Sequence, residues 1–190
     1  QSGWLSNSGF ISSNEAMSIQ TQGKLDNSGN LYATGPLAIV SGDNQTHSGT
    51  TASLDTVNLQ TSVGSQAHIQ SSTGALIASG MQADGQLVNA RSLNVQADGQ
   101  VQLAGKTLTT DALTLTGQGV DVSQGQLSAH HADWRATQND VTASGSQVQI
   151  ATNLHIQTPR SLITDKAHLE TAELNLEANT WRNIGGTFTH

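Results

Sequence analysis

No cysteine occurs anywhere in the chain, which excludes a disulfide framework and a thiolate metal site. Proline is nearly absent, with two residues, and aromatic residues make up only 3%. Charge is also scarce: 11% of residues are charged, against 35% hydrophobic. A disordered chain of such low hydrophobicity ordinarily carries many charges, so this composition points away from disorder. Three Lys and four Arg are scattered singly in a chain of net charge -7. They form no basic stripe that could track a phosphate backbone, so nucleic acid is not an expected partner. No apolar run approaches the roughly 18 residues that cross a membrane as a helix, and no basic segment precedes a short apolar one as in a signal peptide. The chain opens on Gln1 rather than Met, and a fragment or processed piece is expected.

What the sequence does have is glycine, 19 residues of it, and a repeat. From Leu93 to Leu115, Leu93-Asn94-Val95 recurs as Leu113-Thr114-Leu115, and Val101 and Leu103 alternate with polar residues between them. Period two within a segment means strand, and period twenty between segments means stacked units. The same apolar-x-apolar frame runs Met17-Ser18-Ile19, Leu37-Ala38-Ile39, Val57-Asn58-Leu59, Leu93, Leu113, Ala132-Asp133-Trp134, Leu154-His155-Ile156 and Leu174-Asn175-Leu176. Its steps are 20, 20, 36, 20, 19, 22 and 20. The step of 36 holds either two short coils or one coil with an insertion.

A second strand follows with its own signature. Leu5-x-Asn7-x-Gly9, Leu25-x-Asn27-x-Gly29, Val101-x-Leu103-x-Gly105 and Trp181-x-Asn183-x-Gly185 share the pattern bulky-x-small-or-Asn-x-Gly, loosened at Leu103. Strand alternation points its first and third residues inward, and the Gly is expected to supply positive φ for a bend. Asn at that bend can pair with turn backbone and with its stacked copies. Leu108, Leu127 and Leu169 are expected to complete the interior. No i, i+3, i+4 stripe persists, so helix is a poor alternative. The predicted fold is all-β, a right-handed parallel β-helix (solenoid) with about 20-residue coils, spanning 1–190 as a single segment.

The stretches LSNSG at 5–9, LDNSG with NLYATG at 25–35, and WRNIGG at 181–186 resemble the filamentous-haemagglutinin-type repeats of two-partner-secretion exoproteins. That family includes adhesins, haemolysins and the toxin-delivery proteins of contact-dependent growth inhibition. The resemblance implies an interior filament segment on the surface of a Gram-negative cell, exported through an outer-membrane transporter and stacked on neighbouring coils of the same exoprotein. Its implied partner is a receptor on a target or host cell, protein or glycan, with no membrane insertion by the segment itself.

Chemistry-bearing residues are few. His130, His131, Asp133 and Arg135 form the densest cluster, but alternation sets His130 apart from His131 and Asp133, so three metal ligands do not converge. These four are the candidates for receptor contact. No cofactor or metal is expected, and no catalytic residue is assigned, because the aspartates mostly fall at bends. The competing reading is a polysaccharide-cleaving β-helix enzyme or a tailspike-like glycan binder, which needs acids gathered on one outward face. Protruding segments are expected at Gly42–Ser53, Gly64–Gly74 and Ser128–Asp140. Tyr32, Trp134 and Arg135 could anchor a partner there, or Trp134 could simply be core.

Overall fold

Short segments in which apolar and polar residues alternate cannot bury an apolar face alone, and here each stacks on the copy one coil away. The computed structural model describes residues 3–61, 67–77 and 92–190, with side chains described outside 67–77. Every strand pairing among the described residues is parallel, and none of those residues is helical. Coil 1 has three short strands, here called faces A, B and C: Leu5–Asn7, Phe10–Ser13 and Met17–Thr21. Coil 2 repeats them as Leu25–Asn27, Asn30–Ala33 and Leu37–Ser41, and coil 3 as Gln45–His47, Thr50–Ser53 and Thr56–Thr61. In later coils faces B and C merge into long bent strands, as in Gln147–Gln157 and His168–Glu177. The chain is thus a parallel β-solenoid of about eight turns. At roughly 4.8 Å per strand, its stack is about 40 Å long.

The apolar-x-apolar frame is the register of face C. Met17 aligns with Leu37, Leu37 with Val57, Val57 with Leu93, and the column continues through Leu113, Ala132, Leu154 and Leu174. Direct pairing of Val57 with Leu93 settles the 36-residue step as one enlarged coil. Most of its excess falls between Ile77 and Ser92, and residues 78–91 lie outside the described ones. A second inward column on face C runs Ile19, Ile39, Leu59, Val95, Leu115, Trp134, Ile156 and Leu176. From Ile39 to Ile156 every member of it is buried.

Face A holds the Asn-Gly signature. Leu25, Asn27, Val101 and Leu103 are buried, Asn7 is buried and Leu5 half-buried, while Trp181 and Asn183 in the last coil are exposed. Asn7 aligns with Asn27, Asn27 with His47, His47 with Ile69, and Ile69 with Leu103, so Leu103 does occupy the Asn column.

Several expectations are corrected. Gly42–Ser53 does not protrude: it forms the A and B strands of coil 3, with Gln45, His47, Thr51 and Ser53 fully buried. The signal was present, since Gln45-x-His47-x-Gly49 falls twenty residues after Leu25-x-Asn27-x-Gly29, but a polar residue at the bulky position hid it. Ser128–Asp140 likewise contains the strand His131–Ala136, whose alternate residues are core. In Gly64–Gly74, residues 64–66 lie outside the described ones and 67–74 belong to the strand Ala67–Ile77. On face B of coil 5 the buried residue is Thr107, aligned with Leu127, whereas Leu108 is only half-buried and aligns with Ser128. Positive φ occurs at Gly105 (78°) and Gly185 (68°) but not at Gly9 or Gly29; at Gly29 a Cβ would instead sit 2.1 Å from the Gly9 carbonyl oxygen.

Candidate functional surface

The outward positions of face C form a flat ladder. Asn58, Asn94, Thr114, Asp133, His155 and Asn175 share one column, and Gln60, Gln96, Thr116, Arg135, Gln157 and Glu177 share the next. Stacked polar side chains here pair along the rod. Gln157 Nε2 donates to Glu177 Oε2 at 2.8 Å, and Asn94 Nδ2 to Asn58 Oδ1 at 3.4 Å. Coils 5 to 7 interrupt the amide and hydroxyl ladder with charge. His131 Nδ1 lies 3.6 Å from Asp111 Oδ1, and His155 Nδ1 3.4 Å from Asp133 Oδ1.

Of the four sequence-predicted contact residues, His131, Asp133 and Arg135 are exposed on one face of the strand His131–Ala136, and His130 is exposed at the bend before it. The rings of His130 and His131 meet edge to face at 6.3 Å. Trp134, between Asp133 and Arg135, is fully buried and cannot anchor a partner. Among the described residues no three of His, Cys, Asp and Glu gather where they could hold a metal ion. Exposed Asp–His pairs contribute little to stability because water screens them. Asp133→Ala is therefore expected to shift unfolding free energy by under about 0.5 kcal/mol, read as an unchanged denaturant midpoint.

Most other acids have structural partners. Asp43, Asp121, Asp140 and Asp165 each accept a backbone N–H at a bend, from Asn44, Ser123, Ser161 and Ile184. Asp165 also accepts from the Arg182 guanidinium, and these bonds hold its carboxyl below the usual carboxylate range, tying coil 8 to the strand that follows it. Glu170, Glu173 and Glu177 accept from side-chain amides of Gln149, Asn175 and Gln157. Where faces B and C meet, the small residues Ala129, Ala151 and Ala172 leave an open groove of about 550 Å³.

Parallel coils, a narrow apolar interior and polar outward faces define the chain as a β-solenoid. Over 119 residues, 63% of its length, it is 33% identical to a Toxin CdiA of Yersinia pestis. The matched region is about 4% of that protein's length. No protein-family model matches the chain, and no solved structure matches it. The similarity and the coil architecture together fit a CdiA-like, filamentous-haemagglutinin-type region.

Proposed function

We propose that this chain is a non-catalytic filament segment of a secreted, CdiA-like bacterial exoprotein, spacing functional parts of that protein away from the surface that displays it. The observation that supports the reading most is the unbroken face C register through all eight coils, including the enlarged one. A stack that absorbs 16 extra residues in one coil and keeps its columns is built to preserve length and direction. The implied setting is the surface of a Gram-negative cell, reached through an outer-membrane transporter, with neighbouring coils of the same exoprotein continuing the stack.

Residues 101–161 make three whole coils, because Val101 and Leu162 both occupy the same face A column. Their in-frame removal from the parent exoprotein is expected to leave export, surface display and action on target cells intact. Normal display with lost action would overturn the spacer reading. One observation favours a second reading, receptor contact: the cluster of titratable side chains His131, Asp133, Arg135 and His155 within a ladder that is amide and hydroxyl from coil 3 to coil 5. Under that reading, alanine at His130, His131, Asp133 and Arg135 abolishes target-cell binding while display persists. Under the spacer reading it changes neither.

A further inference from the structure

His47 is a titratable side chain sealed inside the stack. It occupies the Asn column of face A, one coil after Asn27, and is fully buried. The bend is closed by a chain of hydrogen bonds with one consistent direction. Asn7 Nδ2 donates to Asn27 Oδ1 at 2.8 Å, and Asn27 Nδ2 to Thr51 Oγ1 at 3.1 Å. Thr51 Oγ1 lies 2.8 Å from His47 Nδ1, and His47 Nε2 lies 3.1 Å from Gln45 Oε1. The Gln45 amide nitrogen is committed to the carbonyls of Ile39 and Gln60, so its oxygen must accept. His47 therefore carries its proton on Nε2, and Nδ1 accepts from the Thr51 hydroxyl.

A second proton has no place in this arrangement. Placed on Nδ1, it would turn Thr51 Oγ1 into an acceptor from both Asn27 and His47, and the hydroxyl proton would lose its acceptor. The imidazolium would also be fully buried, out of reach of water. Among the described residues no carboxylate pairs with it from the elements packed around it. The face C strands Leu37–Ser41 and Thr56–Thr61 and the face B strand Thr50–Ser53 contain no charged residue. On the strand Leu25–Asn27, Asp26 turns outward to Lys24 at 3.1 Å. Asp43 is exposed and Asp55 takes a hydrogen bond from Thr56. On the next coil the nearest titratable residue in register is His68, opposite Thr46. An unpaired buried charge in a broken network is costly enough to favour local opening.

We infer that coil 3 is an acid-sensitive seam in the filament: protonation of His47 breaks the network that closes its face A bend and releases coil 3 from coil 2. Burial pushes the imidazole down from 6.5 to about 4. Because the opened coil binds the proton more readily than the closed one, the closed state is fully favoured above about pH 6.5 and loses ground as pH falls toward 4. Between pH 7 and pH 5 the opening equilibrium should rise on the order of 20-fold. Coils 6 and 7 carry no buried histidine and serve as the internal reference.

Hydrogen exchange corrected for intrinsic rates, measured at pH 7 and pH 5 on the whole chain, tests this. Amides of 45–61 should lose protection by about that factor while those of 120–157 do not. His47→Asn, which continues the Asn7–Asn27 column, should abolish the difference. Equal loss in all coils, or the same loss in His47→Asn, would overturn the inference. A ring resonance of His47 that titrates near 6.5 in the folded protein would also overturn it, and that measurement needs no variant.

Discussion

Trp134→Ala is expected to cost about 3–5 kcal/mol, the range for truncating a large buried aromatic. Trp134 is fully buried and lies in register between Leu115 and Ile156. A solenoid interior one or two side chains wide has no neighbouring layer that can collapse into the cavity, so the loss falls on both interfaces of coil 6. Hydrogen exchange should place it there, with coils 5 to 7 losing protection and coils 1 and 2 unchanged. Trp134→Phe is the discriminating partner. The indole Nε1 is buried without a hydrogen-bond partner among the described residues, so the wild type already bears part of the desolvation cost of that N–H. Phe fills most of the volume and removes the orphaned donor, so its cost should stay below about 1.5 kcal/mol. Comparable losses in the two variants, followed as shifts in guanidinium midpoint, would mean that the indole has a specific polar role.

Where the interior is apolar, the sequence was easy to read. The face C column from Met17 to Leu174 follows directly from apolar-x-apolar spacing, because inward positions there are aliphatic in nearly every coil and one aromatic, Trp134, keeps the alternation. Where the interior is polar the pattern failed. Gln45, His47, Thr51 and Ser53 are buried by hydrogen bonding instead of hydrophobicity, so a periodicity count places them in a loop. Thr107 and Leu108 show the same limit on a smaller scale: the aliphatic residue was the natural choice for the core, yet register with Leu127 puts the threonine inside. The surface cluster was legible as composition, since alternation alone separated His130 from His131, Asp133 and Arg135. The cross-coil pairs Asp111–His131 and Asp133–His155 were not, because they depend on a register of 20 and 22 residues that only stacking defines.

Glycine in the Asn-Gly bends answers two different demands, and substitution should separate them. At Gly49 a Cβ would sit 2.0 Å from the Gly29 carbonyl oxygen and 2.6 Å from Ser28 backbone atoms. The crowding comes from the stacking itself. Gly49 N donates to Asn27 O at 3.0 Å and Thr50 N to Gly29 O at 2.9 Å, which draws successive bends together until no side chain fits between them. Gly49→Ala must therefore part coils 2 and 3 at face A, combining overpacking with weakened coil-to-coil hydrogen bonds, at an expected cost of about 3 kcal/mol or more. Gly185 has the same place in its motif but nothing within 4 Å of an added Cβ, and its φ is +68°. Gly185→Ala should cost only the left-handed penalty of about 1–2 kcal/mol, confined to the last coil. Gly185→Asn should recover part of it, because Asn tolerates that conformation, whereas Gly49→Asn should be at least as damaging as Gly49→Ala. Thermal unfolding of the four variants decides the matter: if Asn rescues both positions alike, backbone conformation rather than stacking selects glycine at Gly49.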